Sequence, residues 1–115
     1  MGRISKRFET EMRRGAIQIA VMCLLEKERY GYDITKSLKN SELKIEEGTL
    51  YPLLKRLENE KLVSSRWDTA DSRPRKYYQI TEYGREVRKN WLEFFKSINT
   101  NVEQFEINMD SKKGD

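Results

Sequence analysis

The stretch EGTLYPLLKRLENEKLV, Glu47 to Val63, decides how this chain is read. Leu50, Leu53, Leu54 and Leu57 recur at spacings of three and four, which predicts a helix with one buried face. Gly48, Thr49, Tyr51, Lys55 and Arg56 fall off that stripe. Pro52 removes one backbone bond, to Gly48, a loss that is tolerable near a helix start where the ladder is incomplete anyway. The predicted helix runs from about Glu46 to Lys61. Its leucine face belongs to a core. The opposite face carries small residues, a tyrosine and two bases, and needs a use.

Working outward, LVSSRWD and PRKYYQIT read as two strands, the second with alternation in Lys76, Tyr78 and Ile80. TADSRP between them supplies turn residues, so the pair is a β-hairpin with a basic tip and return strand. Before the leucine helix, YDITKSLKN reads as a short helix that turns Ile34 and Leu38 inward and leaves Tyr32, Lys36 and Lys39 on other faces. Earlier still, Phe8 to Glu28 reads as a long helix with two apolar stripes. One holds Ile17, Ala20, Val21, Leu24 and Leu25; the other holds Phe8, Met12, Ala16, Ile19 and Cys23. Two stripes call for two packing partners. Gly31 is the expected hinge after the first helix. At the far end, Thr81 is a plausible N-cap with Glu82 in the favourable first turn. The helix it opens carries Val87, Trp91, Phe94, Ile98, Val102 and Phe105 every three or four residues, a coiled-coil-like seam widened by Leu92 and Phe95.

Composition narrows the function. The 115 residues suit one domain. Lysine and arginine outnumber acids 23 to 19, a net charge of +4, which permits an anionic partner without proving one. No apolar run approaches the roughly 20 residues of a membrane span, and MGRISKRFETEMRRG lacks the apolar core of a signal peptide. A cytoplasmic protein with no membrane partner is expected. With no histidine and one cysteine, an intrachain disulfide, a histidine-bearing zinc site and a Ser-His triad are excluded. There is no glycine-rich phosphate loop between a strand and a helix. No enzyme, catalytic residue, cofactor or metal is expected. Cys23, inside AVMCLLE, is expected to be a small buried apolar residue.

Three helices followed by a two-stranded hairpin are the layout of a winged helix-turn-helix, in which the third helix enters the DNA major groove and the hairpin flanks it. The expected fold class is therefore mainly α with a small β wing, extended by a long C-terminal helix. YGYDI (Tyr30 to Ile34), EGTLYPLLKRLENEKLV and RKYYQITEYGRE (Arg75 to Glu86) closely resemble the PadR family of transcriptional regulators, and the single short C-terminal helix is similar to that of its small subfamily. The resemblance implies a dimeric repressor of an operator with approximate two-fold symmetry, paired through the last helix against the partner's first. It divides the chain into a DNA-binding domain over 1–80, whose first helix also joins the dimer interface, a dimerisation helix over 81–109 and a flexible tail over 110–115.

On this reading Tyr51 is the leading DNA contact, a phenol that donates to a phosphate or packs on a sugar; its structural alternative is a tyrosine lying over the domain surface. Gly48 and Thr49 let a phosphate approach a helix start, or simply initiate the helix. Lys55 shares the Tyr51 face; Arg56 faces DNA or pairs with Glu60. Tyr32 and Lys36 are placed to grip the backbone, unless Lys36 is only solvated. Arg73, Arg75 and Lys76 form a basic wing tip suited to phosphate or the minor groove, or a solvated turn. Met12, Ala16 and Ile19 of the first helix face Val87, Trp91, Phe94, Ile98, Val102 and Phe105 of the last in the implied dimer. Some small members of the family bind flat aromatic compounds at the dimer interface, stacked on a tryptophan of the last helix; Phe95 falls at that position and Trp91 lies one turn earlier. A small aromatic effector is thus a possible ligand, with dimer core as the alternative use of these rings. A winged helix that docks another protein without touching DNA is the competing function.

Overall fold

The computed structural model describes residues 2–110, with side chains from Lys6 onward. The order is α1 (Gly2–Leu24), β1 (Arg29–Tyr30), α2 (Gly31–Leu38), α3 (Glu47–Asn59), β2 (Val63–Asp68), β3 (Arg75–Ile80) and α4 (Glu82–Asp110). The strands form one antiparallel sheet in the order β1-β3-β2. Among the described residues, no helix is long and apolar enough to cross a membrane.

The four leucines of α3 are buried as their spacing requires, with Ile34 and Leu38 of α2 and Val21, Met22 and Leu25 at the end of α1. Leu62, Val63, Tyr78 and Ile80 close this core from the sheet side. Pro52 sits inside α3, one turn from its start. The helix ends where the backbone turns left-handed at Lys61, φ 66°. Lys61 N–H donates to the Glu58 carbonyl and Leu62 N–H to the Leu57 carbonyl, the paired bonds of a Schellman stop. Leu57 and Leu62 are both buried there, which supplies the apolar contact that accompanies the motif.

Thr81 caps α4, its hydroxyl accepting from Gly84 N–H at 2.9 Å. Gly84 itself is buried against the Leu62 carbonyl, where a Cβ would collide with backbone. This close approach fixes α4 to the base of the wing.

Three sequence expectations change. The first helix stops at Leu24 instead of Glu28, because Leu25 turns its carbonyl to accept from Ile80 N–H at 2.9 Å. Arg29 and Tyr30 then add a third strand beside Tyr78 and Tyr77, and Gly31 opens α2 directly. Cys23 is exposed, since it lies on the second stripe of α1, away from the core that takes Val21 and Met22. The last helix continues through Asp110; residues 111–115 of the expected tail lie outside the described residues.

Candidate nucleic-acid interface

Burying four leucines leaves a continuous outer face on α3. Gly48, Thr49, Tyr51, Pro52, Lys55 and Arg56 are all exposed along it. At 3.6 residues per turn, Gly48, Pro52 and Lys55 form its middle, Tyr51 lies on one flank and Thr49 and Arg56 on the other.

The Tyr51 flank meets α2. The phenol ring lies against Gly31, at a spot where any Cβ would fall on the hydroxyl. The ring is packed by its body and keeps 42% of its surface exposed. Burial, followed by the nearby Glu47 carboxylate, pushes the phenol pKa up, so its proton stays available for donation.

Beside it, an aromatic ladder joins α2 to the wing. Tyr32 stacks on Tyr30 with ring centres 6.3 Å apart, and Tyr30 meets Tyr77 edge-on at 5.6 Å. Cations cover the rings: Lys36 lies 6.0 Å from the Tyr32 centre, Arg75 4.9 Å from Tyr30 and Arg66 5.0 Å from Tyr77. The Tyr77 hydroxyl, and then Tyr30, hold the Arg75 guanidinium even more firmly charged than usual. Arg66 is occupied by Glu28, bonded through Nε at 2.6 Å and Nη2 at 2.7 Å.

Alternation along β3 turns Lys76 to the other face. There it lies 4.0 Å from Glu58 and over the Trp67 and Tyr78 rings. The register sets Trp67 opposite Lys76, and Trp67 stays 62% exposed. Among the described residues Arg73 and Arg75 of the wing are in no ion pair, while Lys76 is drawn toward the end of α3. On the other flank of α3, Arg56 bonds the Gln18 side chain of α1 at 3.3 Å.

Sequence reasoning named Tyr32, Lys36 and Arg75 but missed the rings that link them. Tyr30 and Tyr77 become partners only through the short strand β1. Two residues carry no periodic signal, so the link was not readable.

A second region lies between the first and last helices. A groove of about 640 Å³ opens between α1 and α4. Met12, Ala16 and Ile19 form one wall, and Trp91, Phe94, Phe95 and Ile98 the other. Val87 and Trp91 pack partly on the core, whereas Phe94 is 67% and Phe105 68% exposed, and Val102 is exposed too. Glu26 ties the two helices together, accepting from Arg88 at 2.8 Å and Arg85 at 3.2 Å.

The fold and sequence both have relatives. The model of the transcriptional regulator PadR-like family matches residues 21–90, from the end of α1 through the wing into α4. An uncharacterized protein of Lysinibacillus sphaericus is 35% identical over 96 residues, 76% of this chain and 88% of its own. A PadR family transcriptional regulator from Eggerthella lenta superposes with a TM-score of 0.83 at 36% identity, covering 89% of this chain and 91% of that one. PadR of Bacillus subtilis, solved in complex with operator DNA, superposes with a TM-score of 0.60 at 30% identity over 67% of this chain and 45% of that longer one. With its leucine helix, wing and the capped start of its last helix inside the matched span, this chain belongs to the PadR-like family, a family of transcriptional regulators and not of enzymes.

Proposed function

We propose that the chain is a dimeric, DNA-binding transcriptional repressor that acts in the cytoplasm on an operator with approximate two-fold symmetry. The observation that carries this is the division of α3 into a buried leucine face and an exposed face beside a cationic wing. That face enters the major groove. Gly48 and Thr49 admit the backbone closely, Tyr51 donates to a phosphate, and Lys55 reaches further along the groove. Tyr32 and Lys36 grip the backbone from α2, and Arg73 and Arg75 do so from the wing, with Lys76 released from Glu58 on contact. Arg56 serves from the opposite flank. The relative solved on operator DNA has the same fold over the matched part, which supports this direction.

Residues up to 80 form the DNA-binding domain, and the last helix, from 82 to 110, is the dimerisation helix. The exposed rings of α4 and the second stripe of α1 support pairing with a second copy. Trp91 and Phe95, on one wall of the α1–α4 groove, suit a flat aromatic effector that alters the pairing and releases DNA.

The test is fluorescence anisotropy on DNA from upstream of the protein's own gene. Tyr51→Ala and Arg75→Ala are each expected to weaken binding by about tenfold, equivalent to about 1.4 kcal/mol, while still unfolding cooperatively. Parent-like binding by both variants would contradict the assigned face and favour a protein-docking module.

A further inference from the structure

We propose that the groove between α1 and the start of α3 holds a second stretch of DNA backbone, with Arg14, Lys44 and Arg56 as its phosphate contacts. The proposal rests on the DNA-binding reading above and extends the interface onto α1, where nothing in the sequence pattern suggested it.

The groove measures about 630 Å³ and is open to solvent. Arg14 reaches it from α1, Lys44 from the α2–α3 connection and Arg56 from α3. All three are exposed, and among the described residues none of them is in an ion pair. Arg56 holds only the neutral Gln18 amide oxygen, which orients the guanidinium toward α1 without cancelling its charge. Arg13 lines the same groove but is paired with Glu9 at 3.8 Å. Glu46 is the lone carboxylate on the lining, so the balance is cationic. Gly48, Thr49 and Pro52 keep the α3 wall low.

Position gives this charge its meaning. A helix in a major groove lies between two phosphate strands. The wing and α2 stand on the Tyr51 flank and face one strand. The other strand must pass the Thr49–Arg56 flank, which is this groove. The wing itself has spent Arg66 on Glu28, and Lys76 must leave Glu58 before it joins the grip. Three uncompensated cations on the opposite flank then balance the grip across the duplex.

The experiment is a salt series of anisotropy titrations on a bound operator and on a scrambled duplex, with Arg14→Gln, Lys44→Gln and the pair, and Lys96→Gln on α4 as the control for charge loss elsewhere. Each groove substitution is expected to reduce the slope of log affinity against log salt by about 0.9, the effect of one lost phosphate contact. Affinity falls in parallel on both duplexes, with unchanged unfolding midpoints and a parent-like Lys96→Gln. If the parent binds while the pair keeps its affinity and slope, or if Lys96→Gln loses as much as either groove variant, the α1 contact is overturned and the regulator reading stands. If the parent binds no duplex at any salt concentration, both fail together.

Discussion

Tyr51 and Gly31 form one unit. The tyrosine was legible as an off-stripe residue of the leucine helix. Its support was not, because Gly31 lies twenty positions before Tyr51 (51 − 31) and reads simply as a hinge after the first helix. In the structure the missing Cβ is what lets the ring lie down on α2. Gly31→Ala is therefore expected to push the phenol outward and destabilise the fold by about 1–3 kcal/mol, the usual range for overpacking. Combining it with Tyr51→Ala should restore much of that loss, a coupling that denaturant unfolding of the single and double variants measures. Additive losses would mean that the two residues do not share the space. Cys23 teaches the complementary lesson: an apolar neighbourhood in sequence does not bury a residue when the helix has two stripes and one faces outward.

The elements were legible wherever periodicity was long enough. The leucines of α3, the alternation of β3 and the Thr81 cap each have a local signal, and each element appears. Ends and short pieces were less readable. α3 stops at a left-handed lysine where glycine would have announced the stop. Lys61→Gly is expected to stabilise the protein by about 1 kcal/mol, since the same Schellman bonds would form without the Cβ penalty; a denaturation midpoint that fails to rise would count against strain there. The junction of α1 with α4 depends on a charge cluster that no periodicity reveals. Arg88 first, then Arg85, hold the Glu26 carboxyl below its ordinary 4.5, working against its partial desolvation. A depressed folded pKa adds stability above the unfolded pKa and loses it as pH falls through the folded value. Glu26→Gln should thus lower the melting temperature at neutral pH, and the gap to the parent should close in acid as pH falls through the depressed folded pKa. A gap that persists in acid would assign the loss to packing instead of charge.

The whole molecule is too extended for a compact single chain of its size. Its radius of gyration is 17.8 Å and its extents are 68 × 33 × 21 Å, against about 13 Å for the radius of a compact domain of this length. The excess is α4, 29 residues whose outer half carries Ile98, Val102 and Phe105 into solvent. The coiled-coil-like seam was legible as a pattern; the expectation that a second copy meets it came from the family resemblance alone, because a period says what a helix face is made of and not which surface meets it. A second copy related by a two-fold axis would cover the seam and set two α3 helices against one side of the duplex. The central claim is that such a pair reads DNA as a symmetric object. The most direct measurement is to select bound duplexes from a randomised pool with the purified protein and sequence them. The account predicts one enriched motif with two inverted half-sites, their centres about 34 Å or a multiple of that apart along the helix. A pool that emerges no different from its input would contradict it.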